Sequence, residues 1–210
     1  FRNGCRPLQG LITEKRDEIK DCRVYNRAVL DRLAGNPGLD TVLLIASWPY
    51  DLGAGKMDEK AVRTYFGSAP LASIEARHSE YTQHLVADLC ALKRIKKRVA
   101  ITAPLPYFGV DVPRTMARDH LFGGQAPVPS QPRRVHMAHN ARLLGALDEA
   151  HARCGIEVLD PLPYFCDSET CRGARDGIPL YSDDNHLGRY GNTVIQPLFE
   201  AFFQAARQSR

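Results

Sequence analysis

The sequence predicts an α/β sandwich built on a parallel sheet. Short apolar runs alternate with longer segments of helical periodicity, in the order strand, helix, strand, helix, strand, helix. The clearest of these runs, Asp40 to Ala46, is continuous rather than alternating, as a strand buried on both faces requires. Three such runs stop at or just before a proline: Pro49, Pro104 and Pro161. The 210 residues fit one domain, 1–210, large enough to bury a core.

Residues 22–34 read as a helix, because Cys22, Tyr25, Val29 and Leu33 recur at helical spacing and Gly35 follows as a stop. Asn36-Pro37-Gly38 then turns the chain into the first strand, which runs out at Ser47-Trp48-Pro49-Tyr50. A glycine-containing loop from Asp51 to Lys56 and an irregular stretch follow. Residues 79–95 are helical, with Tyr81, Leu85, Leu89 and Leu92 on one face, and Arg98 to Thr102 forms the second strand. Residues 110–132 are rich in Pro and Gly, and Gly123 to Pro132 reads as an exposed loop. One long helix is expected over 133–153, with Val135, Leu143, Leu147 and Ala150 inward. The third strand is Ile156 to Asp160. The last helix covers 188–206, where Pro197 belongs near the first turns or introduces a kink. Ligands of open α/β sheets bind at the carboxyl ends of the strands, here Ser47-Trp48, Ala103-Pro104 and Asp160-Pro161.

Bulk properties exclude several classes. Hydrophobic content of 44% with 25% charged residues is that of a globular chain. The net charge of +4 is mild, and the one basic run, Lys93 to Arg98, sits at a helix end where cations complement the dipole. That argues against a nucleic-acid partner. No apolar run approaches the ~20 residues of a membrane span, and the first residues lack the basic and apolar pattern expected of a signal peptide, so any targeting segment is expected upstream. The chain begins at Phe1 without methionine, which is expected of a piece of a longer protein. Of the six cysteines, Cys5 with Cys22 and Cys166 with Cys171 form local pairs suited to disulfides and an oxidising compartment. Zinc is the competing explanation, but neither pair is a C-x-x-C with a neighbouring His. Cys90 and Cys154, on or near apolar helix faces, are expected to be buried free thiols; the even count leaves connectivity open.

The chemistry concentrates in Tyr181-Ser182-Asp183-Asp184-Asn185-His186-Leu187. A carboxylate three residues before an imidazole, on a polar loop, is the acid–base half of a Ser–His–Asp constellation. The bland alternative is a helix cap from Asp184 or Asn185 beside a surface histidine. No Gly-Asp-Ser or G-x-S-x-G occurs in the sequence. Ser47 has the right chain order ahead of Asp183 and His186, but its neighbours Ala46 and Trp48 are not the glycines that a strained nucleophile turn needs. Trp48 and Tyr50 read either as core or as lining of an acyl or sugar pocket. His136 and His139 have metal-like spacing without a carboxylate partner, and a solvated helix face is expected there.

Several segments carry a resemblance: Cys5-Arg6-Pro7-Leu8 with Cys22, Tyr25 to Leu30, the strand ending at Trp48, and the Cys166…Cys171 loop. The most specific is Pro179 to Leu187, followed by Arg189-Tyr190-Gly191-Asn192. Together these resemble the SGNH (GDSL-like) hydrolase superfamily, and more narrowly the SGNH domain attached to bacterial membrane acyltransferases that O-acylate surface polysaccharides. The resemblance implies a three-layer sandwich with a flavodoxin-like parallel sheet. It also implies that this single domain is N-terminally incomplete, lacking the first strand with its Gly-Asp-Ser, and that the loss exposes apolar strand edges. His186 would then be the general base and Asp183 its orienting partner, for a serine outside the chain; the chain alone would be inactive. Ser47, Trp48 and Tyr50 would face the substrate. No cofactor or metal is implied. The partners implied are an upstream membrane acyltransferase domain and a polysaccharide acceptor, on the periplasmic side of the inner membrane. A polysaccharide acetyl-esterase and a non-catalytic glycan-binding or docking module are the alternatives.

Overall fold

The computed structural model describes residues 5–15, 18–48, 62–123 and 128–208. The elements run β1 (Ile12–Lys15), β2 (Glu18–Asp21), α1 (Arg23–Ala34), β3 (Thr41–Leu44), β4 (Val62–Tyr65) and α2 (Ile74–Ile95). Next come β5 (Arg98–Thr102), α3 (Val112–Leu121), β6 (Ser130–Pro132), α4 (Arg133–His139) and α5 (Ala141–Cys154). The chain continues with β7 (Glu157–Leu159), a 3-10 turn at Leu162–Tyr164, β8 (Thr170–Arg172), β9 (Ala174–Arg175), β10 (Ile178–Pro179) and α6 (Arg189–Gln208). Two compact units divide it: one runs through Ala103 and resumes over Asn140–Leu159, the other takes Pro104–His139 and the chain from Asp160 on.

The three apolar runs form the parallel sheet of the first unit, in the order β3-β5-β7. Thr41 pairs with Arg98, Leu44 with Ile101, and Thr102 with Leu159. The central strand carries Val99, Ala100 and Ile101 with no exposed surface, which is why its run is apolar throughout. It is paired on both sides, and β3 and β7 form the edges of this sheet among the described residues. Tyr81, Leu85, Leu89 and Leu92 of α2 and Leu143, Leu147 and Ala150 of α5 are buried in one core with these strands. Arg98 and Glu157 join β5 to β7 through a two-pronged ion pair, Nε to Oε1 at 2.5 Å and the terminal nitrogen to Oε2 at 2.6 Å.

A second sheet in this unit, β2-β1-β4, is antiparallel and was not anticipated. Its strands are short and rich in charge, and Ile19 is exposed, so no apolar pattern announces them. Buried Asn26 of α1 holds the segment ahead of them, donating to the carbonyls of Arg6 at 2.8 Å and Leu8 at 2.6 Å.

Cys5–Cys22 and Cys166–Cys171 are disulfides, as their spacing predicts. The expectation of free thiols at Cys90 and Cys154 is overturned: they are bonded, with Cα atoms 5.4 Å apart. Cys90 lies on the buried side of α2 and Cys154 is the last residue of α5. Packing of those helices, invisible to local periodicity, brings them together.

In the second unit, α3 stands where the Pro- and Gly-rich stretch reads as irregular. Asp111 caps it by accepting from the Arg114 amide at 2.8 Å, and Pro113 occupies its first turn. Part of the expected loop 123–132 is strand β6, antiparallel to β8, with Gln131 opposite Cys171. The single helix expected over 133–153 is broken at Asn140 (φ −102°, ψ 8°) into α4 and α5, which fall in different units. His136 is buried, 2% exposed, rather than on a solvated face, while His139 is exposed. Val112, Phe165, Leu180, Tyr181 and Ile195 centre this unit's own core. Pro197 lies inside α6, beyond its first turns.

Candidate active site: the Asp183–His186 loop

Backbone pairing closes the loop at its base. Tyr181 bridges to Leu187, the Ser182 amide donates to the His186 carbonyl at 2.8 Å, and the Gly188 amide donates to the Leu180 carbonyl at 2.8 Å. Tyr181 anchors this base in the core: it is 2% exposed, with Phe108 edge-on at 5.1 Å and Phe165 at 5.9 Å. Burial pushes its phenol far above the usual range, so it stays neutral, and its hydroxyl has no partner among the described residues. Helix α6 starts hard against the same backbone. A Cβ on Gly191 would come within 2.0 Å of the Leu180 carbonyl oxygen, so only glycine fits there.

Within this frame the Asp183 carboxylate accepts three hydrogen bonds. Oδ1 takes the amides of Asn185 at 2.8 Å and His186 at 2.7 Å, an Asx-type turn that folds the chain back on itself. Oδ2 lies 2.7 Å from Nδ1 of His186. Partial burial raises the carboxyl's pKa, but the two amides and the imidazole together outweigh it and hold the group below the usual carboxylate range. An ionised carboxylate can only accept, so Nδ1 must carry a proton. The neutral ring then keeps its lone pair on Nε2, the arrangement a general base needs. The His186 side chain is 77% exposed, open to an incoming hydroxyl, and Asp183 is 40% exposed.

The capping alternative does not describe this loop. Helix α6 begins at Arg189, after Gly188, and the side-chain bonds of Asp183 go to residues 185 and 186 instead. Asp184 turns its carboxylate to the Tyr107 hydroxyl, with Oδ2 at 3.4 Å.

Of the other residues singled out in the sequence, Ser47 and Trp48 belong to the first unit and the Asp183–His186 pair to the second. Ser47 is exposed; Trp48 is fully enclosed in the first unit's core, its indole N–H without a partner among the described residues. Tyr50 lies outside the described residues. Sequence reasoning missed the contribution of Tyr107, Phe108 and Val112, which hydrogen-bond the loop. An available signal was Asp111 ahead of Val112-Pro113, a helix start that places an amide-rich turn in this stretch.

The family model described as "SGNH domain (fused to AT3 domains)" matches residues 1–201. Among solved structures, the fold is similar to that of the periplasmic domain of a lipopolysaccharide acetyltransferase from Salmonella ser. Paratyphi A. The two are 13% identical with a TM-score of 0.61, over 94% of this chain and 68% of that one. No curated protein matches the chain.

Proposed function

This chain belongs to the family of SGNH domains fused to AT3 domains, and from that we propose that it is the transfer module of a membrane O-acyltransferase. It passes an acyl group, acetyl in the simplest case, to a hydroxyl of a cell-envelope polysaccharide on the periplasmic side of the inner membrane. The observation that carries this reading is the 2.7 Å contact of Asp183 Oδ2 with Nδ1 of His186, which leaves Nε2 as an exposed base.

The reaction runs in two halves. A serine contributed from outside this sequence attacks the acyl carbonyl of a donor delivered by the membrane domain. His186 takes the hydroxyl proton on Nε2, and Asp183 stabilises the imidazolium that forms. The bond from carbonyl carbon to leaving group breaks, and the leaving group collects the proton. In the second half a sugar hydroxyl gives its proton to Nε2 and attacks the acyl-serine, and the serine oxygen departs with that proton. An alcohol, an imidazole and a carboxylate suffice for both halves. In this reading residues 1–210 act as one SGNH-like domain, inactive without the serine; Trp48, enclosed in the first unit's core, takes no part in substrate contact.

The test uses the full-length protein with an activated acetyl ester and a glycan acceptor. Acetylated glycan, lost in His186→Ala, supports the transferase. Free acetate alone makes the module an esterase. Undiminished acetyl transfer in His186→Ala makes it a binding or docking module.

A further inference from the structure

A second segment of the same unit grips the Asp183–His186 loop from the side. The Val112 amide donates to the Asp183 carbonyl at 3.1 Å, and the Phe108 amide donates to the Asp184 carbonyl at 3.3 Å. The Tyr107 hydroxyl donates to the Asp184 carboxylate at 3.4 Å. The Phe108 ring meets Tyr181, at the loop's base, edge-on with a 79° angle between ring planes. Val112 is the first residue of α3, so its amide is one of the helix's donors with no acceptor inside the helix. That donor goes to the carbonyl of the residue whose carboxylate steers His186. Asp111 fixes the turn that presents it, by capping α3.

These contacts fall on consecutive loop residues from one neighbouring segment, and none of them touches the imidazole. Backbone pairing closes the loop at its base and the Asx turn folds it; two amides arriving from 107–112 add a hold on the carbonyls of Asp183 and Asp184. We propose that Tyr107–Val112 is a positioning segment for the proton relay. Its backbone amides set the Asp183 carboxylate against Nδ1, and Tyr107 acts as its side-chain member through Asp184. This rests on reading Asp183 and His186 as the acid–base pair.

The test removes one donor at a time in the full-length protein. Val112→Pro deletes the amide hydrogen at the first helical position, which tolerates proline, and also reshapes a buried side chain; Val112→Ala keeps the hydrogen while trimming that side chain and serves as the packing control. Val112→Pro is expected to lower kcat for acetyl transfer about tenfold with the acceptor KM little changed. Val112→Ala should hold kcat within about threefold, whatever it does to stability. Tyr107→Phe and Asp184→Ala should each lower kcat about fivefold without adding in the double variant, and Asp184→Asn, which keeps an acceptor, should recover most of the loss. Nitrogen-15 shifts of the His186 ring report orientation independently of turnover. They should move toward the Nε2–H form in Val112→Pro and Tyr107→Phe.

Wild-type kcat and ring shifts in Tyr107→Phe and Val112→Pro, with His186→Ala inactive, overturn the positioning role. If Val112→Pro does not fold, Tyr107→Phe and Asp184→Ala decide it. If His186→Ala retains full activity, the acyl-transfer reading falls, and the ring shifts alone still decide whether 107–112 orients the pair.

Discussion

Asp183→Asn separates the electrostatic half of the relay from its geometry. In the protein as it stands, Oδ1 accepts two amides at 2.8 and 2.7 Å and Oδ2 faces Nδ1 at 2.7 Å. An asparagine must leave its carbonyl oxygen on the two amides, because its NH2 group there would oppose two donors. The NH2 group then occupies the Oδ2 position and donates to Nδ1, so the ring proton moves to Nε2. Both side chains are largely open to water, at 77% and 40% exposure, so the charge-assisted bond is worth about 1 kcal/mol rather than its buried value. Losing it from one tautomer and gaining a bond of about the same size in the other shifts the equilibrium by about 2 kcal/mol, about thirtyfold. Turnover should fall by at least that factor. It should approach the roughly 10⁴-fold loss of a triad held in the wrong tautomer if imidazolium stabilisation also matters. The assay is kcat for acetyl transfer beside nitrogen-15 spectra of labelled histidine in the full-length protein. A variant that keeps Nδ1 protonated, or keeps kcat within threefold, refutes the argument.

Gly191→Ala should cost about 3 kcal/mol, since the new methyl meets the Leu180 carbonyl at 2.0 Å; an unchanged melting temperature would contradict the close approach. Replacing Cys90 and Cys154 with serine opens a bond that spans 64 residues, and chain entropy puts the loss at about 4 kcal/mol, measured by denaturant titration under oxidising conditions. Asp88 offers a pH test. Burial raises its carboxyl to about 6 despite the Gln9 amide donating to it at 2.6 Å. The folded state therefore binds the extra proton between about pH 4 and 6. Stability falls as pH rises through that window and levels off above it, by up to about 3 kcal/mol. Asp88→Asn keeps an acceptor for Gln9 and should abolish the fall, gaining about 2 kcal/mol at pH 7.5 and almost nothing at pH 4. Parallel stability profiles for the two proteins would show that the buried charge carries no penalty.

Features written in neighbouring residues were legible before any coordinates. The apolar runs at 41–44, 98–102 and 157–159 became parallel strands; the central one is covered on both faces and admits no polar alternation, whereas the outer two are largely half-buried. The helical stripe of Tyr81, Leu85, Leu89 and Leu92 predicted its own buried face. Cys166 and Cys171 close a loop too short for many other partners, and Asp183 reaches His186 because three residues suffice for an Asx turn. Features that depend on how two distant segments pack were not legible. Cys90 meets Cys154 across 64 residues through the packing of α2 and α5, and Tyr107 meets Asp184 across 77. Neither member of those pairs carries a mark of the other, because helix register and loop placement follow from the summed volumes of many side chains. The Asp183–His186 contact is thus a local property of a short loop. Its aim is a property of packing, supplied by an amide of a helix that the Pro- and Gly-rich sequence concealed.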